Sequence, residues 1–329
     1  MNNDNDNVND NINDNGNSMI IFSYDILHEI IGYLKGDYNS LLSYYQIDKH
    51  TSRFKHDTYY YKLNHDYSLC YYYDSNYRNE IMNVCDITKQ LSINLSYYDS
   101  ISIDTSKLSH VHSIDLSMTK VSTISHLSCY KVDLSCCVDL DLTTMISLSC
   151  VKVLDLSNSN VCDASMLNNA EVLDLSFTNV SNCSMLGNVH TLILAGCLMI
   201  EDVSSLGNVY HLDLSGCINV NDVSNLGRVH TLKLKNCDKI TDVSMLGNCY
   251  ELDLSGCDKI TDVSMLGNCH SLDLSVCDNI KDVSKLVNVK KLNLSFMKYI
   301  KEEDVKPILS NVLHLFFYGD ENFKRYYCL

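Results

Sequence analysis

The sequence predicts an α/β solenoid, a curved ribbon with a parallel sheet on its concave face, preceded by a small helical domain. One observation is an apolar-x-apolar motif that recurs along the chain, with five consecutive steps of 20 residues between Leu192 and Leu292. A fixed period of this length is typical of stacked repeats. The other observation is a run of apolar residues at helical spacing upstream of the repeats. The first apolar residue of each motif falls at Ile93, Ile114, Val132, Leu154, Leu173, Leu192, Leu212, Leu232, Leu252, Leu272, Leu292 and Leu313.

The 329 residues divide into five segments. Residues 1–18 are rich in Asn and Asp and nearly free of apolar side chains, so we expect a disordered tail. Residues 19–54 form a helical domain, and residues 55–90 form a Tyr-rich helical connector whose hydroxyl groups stay hydrated. Residues 91–317 hold about 12 repeats with a period of about 20, and residues 318–329 form a C-terminal cap or tail.

The helical domain is predicted from a single apolar face. Apolar side chains recur at i, i+4, i+5 and i+8, which places them on one side of an amphipathic helix. A second short apolar stretch follows and suits a helix that packs on the first. The residues of these two stretches that carry the interpretation are Phe22, Ile26, Leu27, Ile30, Tyr33, Leu34, Leu41 and Leu42.

One repeat, residues 249–268, shows how a coil is built. Leu252, Asp253 and Leu254 alternate apolar and polar as in a half-buried strand. Three further apolar residues, Ile260, Val263 and Leu266, are predicted to return under the sheet, and Gly267 is expected to turn the chain with a positive φ. A single coil cannot bury its leucines, so stability requires stacking on neighbouring coils.

Two further columns follow from the same period. Asp residues recur before the Val-Ser-x-Leu segment, where each can cap a helical or 3-10 turn by accepting from free backbone N–H groups. They are Asp202, Asp222, Asp242, Asp262 and Asp282. Cysteines recur after each strand, and we expect a buried column of small residues there, with a metal or redox ladder as the alternative. They are Cys197, Cys217, Cys237, Cys257 and Cys277.

The repeat resembles the leucine-rich-repeat family. Leu252 to Cys257, followed by Ile260-Thr261-Asp262, is similar to the cysteine-containing subclass of that family, and the Asp-Val-Ser-x-Leu return is similar to short bacterial-type repeats. The resemblance implies a curved ribbon over residues 91–317. Copies before residue 170 are irregular, and Asn158 or Thr178 stands where the cysteine is expected.

The N-terminal helix resembles an F-box. Phe22 to Leu27, then Ile30, then Tyr33-Leu34 follow the spacing of that family, although Ser23 replaces its proline. F-box followed by leucine-rich repeats is a recurrent pairing, and proteins of amoeba-infecting giant viruses are similar in composition and in this pairing. The alternative is that this helix caps the first repeat.

Composition and motifs narrow the class of function. A formal net charge of −16 disfavours nucleic-acid binding, and no apolar run is long enough to span a membrane. Sixteen cysteines without a secretory signal indicate reduced thiols in an intracellular, cytoplasmic location, that of the host cell if the protein is viral. No nucleotide-binding, catalytic or zinc-binding motif occurs, and the histidines are interpreted as surface residues. We therefore predict no enzyme, no catalytic residue, no metal and no cofactor.

The two resemblances together imply a protein-binding adaptor, the substrate receptor of a cullin–RING ubiquitin ligase of the SCF type. The helix residues from Phe22 to Leu42 would bind a Skp-type adaptor of the host and thereby its cullin complex, and the repeats would hold a target protein. The alternative is a repeat scaffold that binds a protein and recruits no ligase. An enzyme carried by residues 55–90 is a remote third class, with no motif in its favour.

The target-binding residues are predicted from strand alternation. The residue after the first leucine of each strand must point away from the core, onto the concave surface. At the last strand that residue is expected to be His314. Four carboxylates without a neighbouring cation, Asp115, Asp133, Asp155 and Asp174, would form an acidic strip for a basic partner segment. The alternative is that these carboxylates are ordinary solvated positions. The same column continues through Asp213, Lys233, Asp253 and Asp273.

Overall fold

The computed structural model describes most of the chain beyond residue 60. The described residues are 61–84, 91–97, 104–108, 111–124, 127, 129–308, 311–319 and 322–327. They lie in a compact unit that spans Tyr59–Leu329. A second unit, Met1–Thr58, falls outside the described residues, and with it the predicted tail, the helical domain and all eight predicted adaptor-binding residues.

The described residues form one open sheet whose strand order follows the sequence. Strands β1 to β13 pair in parallel, and β14 pairs with β13 in antiparallel. The twelve predicted repeat strands are present as β2 to β13, which confirms the curved leucine-rich-repeat solenoid. The strands are β1 Tyr61–Lys62, β2 Leu91–Asn94, β3 Ser113–Asp115, β4 Lys131–Asp133, β5 Val153–Asp155, β6 Val172–Asp174, β7 Thr191–Ile193, β8 His211–Asp213, β9 Thr231–Lys233, β10 Glu251–Asp253, β11 Ser271–Asp273, β12 Lys291–Asn293, β13 His314–Gly319 and β14 Asn322–Tyr327.

Helices are short and lie mainly at the ends of the ribbon. None of those in the described segments is long and apolar enough to cross a bilayer. The α-helices are α1 His65–Tyr73, α2 Ser75–Val84, α3 Leu142–Leu148 and α4 Glu302–Val305. Single 3-10 turns lie between strands at Thr105–Leu108, Ser165–Leu167, Ser204–Leu206, Ser224–Leu226, Ser244–Asn248, Ser264–Asn268 and Lys306–Ile308.

The core is one column of apolar side chains that runs through all the coils. In the coil that begins at β10, every predicted core residue is at most 3% exposed. Burial of one such side chain stabilises the fold by about 1.5–3 kcal/mol, so the ribbon depends on repetition of a small contribution. The buried apolar residues of this coil are Leu252, Leu254, Cys257, Ile260, Val263, Leu266 and Cys269.

The N-terminal end of the ribbon is closed by part of the segment predicted to be a connector. β1 extends the sheet beyond β2, and the Ser68 hydroxyl in α1 accepts from the backbone N–H of Asn94. Tyr71 and Tyr72 are at most 4% exposed, and the Tyr72 hydroxyl accepts from the backbone N–H of Asp104. Most of residues 61–84 is helical, as α1 and α2, but residues 61–62 form β1. The Tyr71 and Tyr72 rings are buried in the core rather than hydrated, so the segment caps the first coil.

In the last coil, the predicted position of the strand's first leucine is wrong. Leu315, and not Leu313, pairs with Leu292, and Leu313 is about half exposed. The outward position is therefore filled by Phe316 and not by His314. α4 and the 3-10 turn after it lengthen this coil, so the equivalent leucine comes two residues later than the motif Leu313-x-Leu315 suggests.

The cysteine column is buried, as predicted. Each thiol donates to the carbonyl oxygen of a leucine one coil earlier, for example Cys217 to Leu194 at 3.1 Å and Cys257 to Leu234 at 3.0 Å. Thr178 occupies the same position in an irregular copy, as expected, but in the copy before it the residue is Ser159 and not Asn158. Their hydroxyls donate to the carbonyl oxygens of Leu175 and Leu156 in their own coils.

The predicted Asp caps are also present. The Oδ1 atom of each accepts from the backbone N–H of the serine two residues later at 2.8–2.9 Å. Asn182 makes the same bond to Ser184, so the position requires an acceptor oxygen and not a charge. These hydrogen bonds lower the pKa of the carboxyl groups at Asp202, Asp222, Asp242, Asp262 and Asp282.

Gly267 is needed for the close approach of two coils and not for a positive φ. Its φ is not positive, which corrects the expected role. A Cβ at this position would collide with the carbonyl oxygen of Lys285 in the next coil, so glycine lets the two backbones approach.

The left-handed turn lies instead just after each strand. Eleven equivalent residues have a positive φ between 56° and 73°, and only three of them are glycine. Val276, at φ 62°, is the unfavourable member because a β-branched residue resists this conformation most strongly. The column consists of Tyr97, Met118, Cys136, Asn158, Phe177, Gly196, Gly216, Asn236, Gly256, Val276 and Phe296.

We expect Val276→Gly to raise the free energy of unfolding by about 0.5–1 kcal/mol. Relief of left-handed strain, about 1–2 kcal/mol, exceeds the entropic cost of a glycine, about 0.5–1 kcal/mol. Urea unfolding measures the change. Gly216→Val is the matched control, because Gly216 has φ 72° and no atom lies closer than 3.7 Å to an added Cβ. It should lose stability, and a Val276→Gly protein no more stable than the wild type would contradict the strain.

Candidate functional site

The structure brings the predicted target-binding residues into one column, the outward column, which we define by the register of the parallel strands. Asp115 pairs with Asp133, Asp133 with Asp155, and Asp155 with Asp174. After Ile193, the column continues with Asp213, Lys233, Asp253 and Asp273. All eight predicted residues therefore lie in line on one face of the sheet, and their binding role stays a prediction.

Each carboxylate of the outward column also has a structural task. Its Oδ1 atom accepts from the backbone N–H two residues later, at 2.8–3.0 Å, and so ends the strand. The serine hydroxyl at that position adds a second bond in four of the coils. Asn94 and Asn293 make the same backbone bond without a charge. The acceptors are Asp115, Asp133, Asp155, Asp174, Asp213, Asp253 and Asp273.

The second carboxylate oxygen distinguishes the members of the column. Asp115 accepts from the neutral Asn94 amide at 3.0 Å, so its Oδ2 atom is partnered although no cation lies beside it in the column. Asp273 accepts from the Asn293 amide at 2.7 Å, and Asp213 lies 3.4 Å from the Lys233 ammonium.

Three consecutive carboxylates, Asp133, Asp155 and Asp174, carry the densest charge of the column. No hydrogen bond or ion pair joins their Oδ2 atoms to a described residue. Burial raises the pKa of Asp155, the hydrogen bonds from Ser157 oppose this rise, and the charges of Asp133 and Asp174 add to it. Repulsion between the carboxylates of the acidic strip is therefore greatest at Asp155, which lies between Asp133 and Asp174.

A second column, which sequence reasoning missed, lies where the strands begin. The residues immediately before five consecutive strands stack ring on ring, with centroids 4.4–5.0 Å apart and interplanar angles of 4–19°. We call this set the aromatic ladder, and it consists of His190, Tyr210, His230, Tyr250 and His270. The signal was present as alternation of His and Tyr at a period of 20, at the position before each strand.

The aromatic ladder borders the outward column. His211, the first residue of β8, lies on the same side of its strand as Asp213. Its ring meets those of His190, Tyr210 and His230 edge-on, with centroids 4.6–6.1 Å apart. Burial lowers the pKa of His211, His190 and His230 lower it further, and Glu251 opposes them.

The buried cysteines are unsuited to chemistry. Burial raises the pKa of Cys217 to about 12 and that of Cys257 to about 11, so the thiols stay protonated and poorly nucleophilic at neutral pH. Within the described ranges, no three His, Cys, Asp or Glu side chains converge in a way that could hold a metal ion.

Comparison with known proteins identifies the fold. No family model matches the sequence, and no curated protein matches it. The solved structure of internalin InlF from Listeria monocytogenes matches at a TM-score of 0.51 and 19% identity, covering 74% of this chain and 69% of that one. The class is thus the leucine-rich-repeat solenoid.

Two further internalins of the same organism match less closely. The functional domain of InlJ, which includes a cysteine ladder, has a TM-score of 0.44 and 18% identity, covering 63% of this chain and 49% of that one. Internalin C2 has a TM-score of 0.35 and 19% identity, covering 63% and 78%.

We expect Asp155→Asn to be at least as stable as the wild type at pH 7. A raised pKa in the folded protein means that the ionised carboxylate opposes folding, and an asparagine keeps the acceptor oxygen without that charge. The advantage should shrink as the pH falls towards 4 and Asp155 becomes protonated. Asp155→Ala leaves the Ser157 N–H without its acceptor and should lose about 1 kcal/mol. Urea unfolding at the two pH values measures both, and equal losses for Asn and Ala would contradict the assignment.

Proposed function

We propose that the protein is a protein-binding scaffold that holds its partner on the outward face of the sheet. The observation that carries this is the outward column itself: a line of side chains that are polar on all the repeat strands except β7 and β13, beside a core that is complete without them. An open ribbon of this kind offers an extended surface rather than a pocket. Binding then depends on the side chains that vary from coil to coil.

The partner segment is basic in this proposal. Asp133, Asp155 and Asp174 are neighbours about 4.8 Å apart with unneutralised charge, and Asp115 extends the strip by one strand. Like charges at this distance repel by about 1 kcal/mol in water, so a cationic segment relieves a repulsion that already exists. Attraction of this kind speeds association and weakens as salt is added.

Replacement of all four strip residues, Asp115, Asp133, Asp155 and Asp174, by Asn tests the site. Each Asn keeps the strand-ending bond, as Asn94 and Asn293 do, so the ribbon should stay folded while the charge is lost. Proteins retained from a eukaryotic cell lysate by the wild type, and released by salt, should bind the variant about tenfold more weakly. Quantitative mass spectrometry of the retained proteins and thermal unfolding of the variant measure the two effects.

A matched control removes the same charge elsewhere. Asp202, Asp222, Asp242 and Asp262 each accept from the first backbone N–H of a 3-10 turn, and Asn182 makes the same hydrogen bond to Ser184 without a charge. The corresponding four-fold Asn variant should retain the partner as the wild type does. If both variants lose the partner alike, only net charge matters and the outward face is not the site.

The finer proposal is that the scaffold is the substrate receptor of an SCF-type cullin–RING ubiquitin ligase, acting inside the cell. The first coil is already covered by residues 61–84, which supports a role other than capping for the F-box-like residues 19–54. All fourteen cysteines within the described residues are free thiols, which agrees with a reducing compartment. The scaffold would raise the local concentration of target lysines at the ligase.

Ile30→Asp combined with Leu34→Asp tests the recruitment. Two charges on the apolar face of the helix should abolish co-purification with a recombinant Skp-type adaptor, because the adaptor must bury that face. The thermal unfolding of the repeats should be unchanged. Wild-type protein that fails to bind the adaptor, or a double variant that still binds it, would leave the scaffold without ligase recruitment.

A further inference from the structure

The aromatic ladder presents its ring edges, not its ring faces. His230 is stacked between Tyr210 and Tyr250 at 4.4 and 4.8 Å, so both faces of its ring are covered. Tyr210 and Tyr250 are nevertheless 42% and 43% exposed as residues. Because each of these rings is also stacked on both faces, its edge and hydroxyl are what it can offer to a partner. A partner therefore meets a rigid row of edges, each carrying groups that can form hydrogen bonds, rather than a platform on which a flat group could stack.

The charges around this row are mostly negative at neutral pH. On the strands that start at the aromatic ladder, the titratable outward side chains are those of His211, Asp213, Lys233, Glu251, Asp253 and Asp273. Lys233 is engaged with Asp213, which leaves Glu251, Asp253 and Asp273 in excess. Glu171 precedes the row, and Lys290 and Lys291 follow it.

We propose that the aromatic ladder is the contact surface for an extended lysine- and arginine-rich segment of a partner protein, and that protonation of its histidines weakens that contact. The inference rests on the proposed function, because it assigns a second part of the same outward face to the partner.

The chemistry of the two columns fits such a segment. The methylene stems of Lys and Arg are apolar and pack well on aromatic edges, while their charged heads reach for carboxylates. Asp253 and Glu251 lie on the same side of β10, which follows Tyr250 directly. The methylene stem of a partner's Lys or Arg can therefore pack on the ring edge of Tyr250 while its charged head reaches the neighbouring carboxylates.

Protonation of the imidazoles would invert the local charge. Imidazoles as a class gain a proton at mildly acid pH, and full protonation of the four histidines would place four positive charges beside Glu251, Asp253 and Asp273. Burial, and after it the proximity of His190 and His230, lowers the pKa of His211, so this member gains its charge at a lower pH than an ordinary imidazole. A cationic partner would then be repelled.

The alternative is that the stacked rings only stabilise the ribbon. Each stacked pair contributes modestly to stability, and a structural ladder would change the unfolding temperature without changing affinity. The test therefore measures both.

The test uses the full chain and a fluorescent decapeptide of alternating Arg and Lys, with a deca-glutamate peptide as the negative probe. Tyr210→Ser combined with Tyr250→Ser changes no charge, yet it should weaken the Arg-Lys peptide by about tenfold at pH 7.5. Tyr299→Ser is the matched control, since Tyr299 is equally exposed at 44% and lies outside the aromatic ladder. It should bind like the wild type.

The pH arm replaces His190, His211, His230 and His270 by Gln. The affinity of the wild type for the Arg-Lys peptide should fall by about tenfold between pH 7.5 and 5.5. The affinity of the Gln variant should change much less over the same range. If the serine variant does not fold, this arm decides alone.

The outcomes separate the two proposals. A folded serine variant with wild-type affinity, or a Gln variant with the full pH dependence, overturns the aromatic ladder as a contact surface. If the four-fold Asn variant of the acidic strip has meanwhile lost its partner, the proposed function stands without the ladder. If the serine variant binds the peptide and the four-fold Asn variant binds its partner as the wild type does, both proposals fail.

Discussion

The stacking of one coil on the next is the constraint on which the rest of this structure depends. A coil of about 20 residues cannot bury its leucines, and it becomes stable only when its neighbours cover them. Parallel strands fix the distance between coils at about 4.8 Å, so each residue lies next to its equivalents in the two neighbouring coils. A favourable or unfavourable interaction between equivalent side chains can therefore recur from coil to coil along the ribbon.

That repetition explains why the same sheet holds features of opposite character. Aromatic residues in register stack and stabilise one another, as in the aromatic ladder, whereas carboxylates in register repel. The acidic column is tolerated because each Oδ1 atom ends a strand by accepting a backbone N–H. Asn94, Lys233 and Asn293 interrupt its charge. Where no such residue intervenes, burial raises the pKa of Asp155, and the charges of Asp133 and Asp174 add to the rise. These unneutralised carboxylates are therefore the part of the face whose mutual repulsion a cationic partner would relieve most.

The sequence predicted the regular coils well because their leucine spacing admits one register only. It failed in the last coil, where Leu313 and Leu315 both fit the motif and only pairing with Leu292 separates them. The left-handed column was hidden because eight of its eleven residues are not glycine. The aromatic ladder was missed because each histidine was weighed alone, although rings become neighbours through the period. The F-box resemblance concerns residues outside the described part of the chain.

The ends of the ribbon decide how far such stacking can continue. A solenoid of identical coils has no intrinsic length, since each terminal coil is a template for another. At the C-terminal end, β14 runs against the direction of the thirteen strands before it. A further coil added at this edge would have to pair with a strand of reversed direction, whereas each inner coil has a parallel neighbour. The reversed strand therefore ends the parallel order of the sheet, and a coil placed beyond it could not repeat the contacts that join the inner coils.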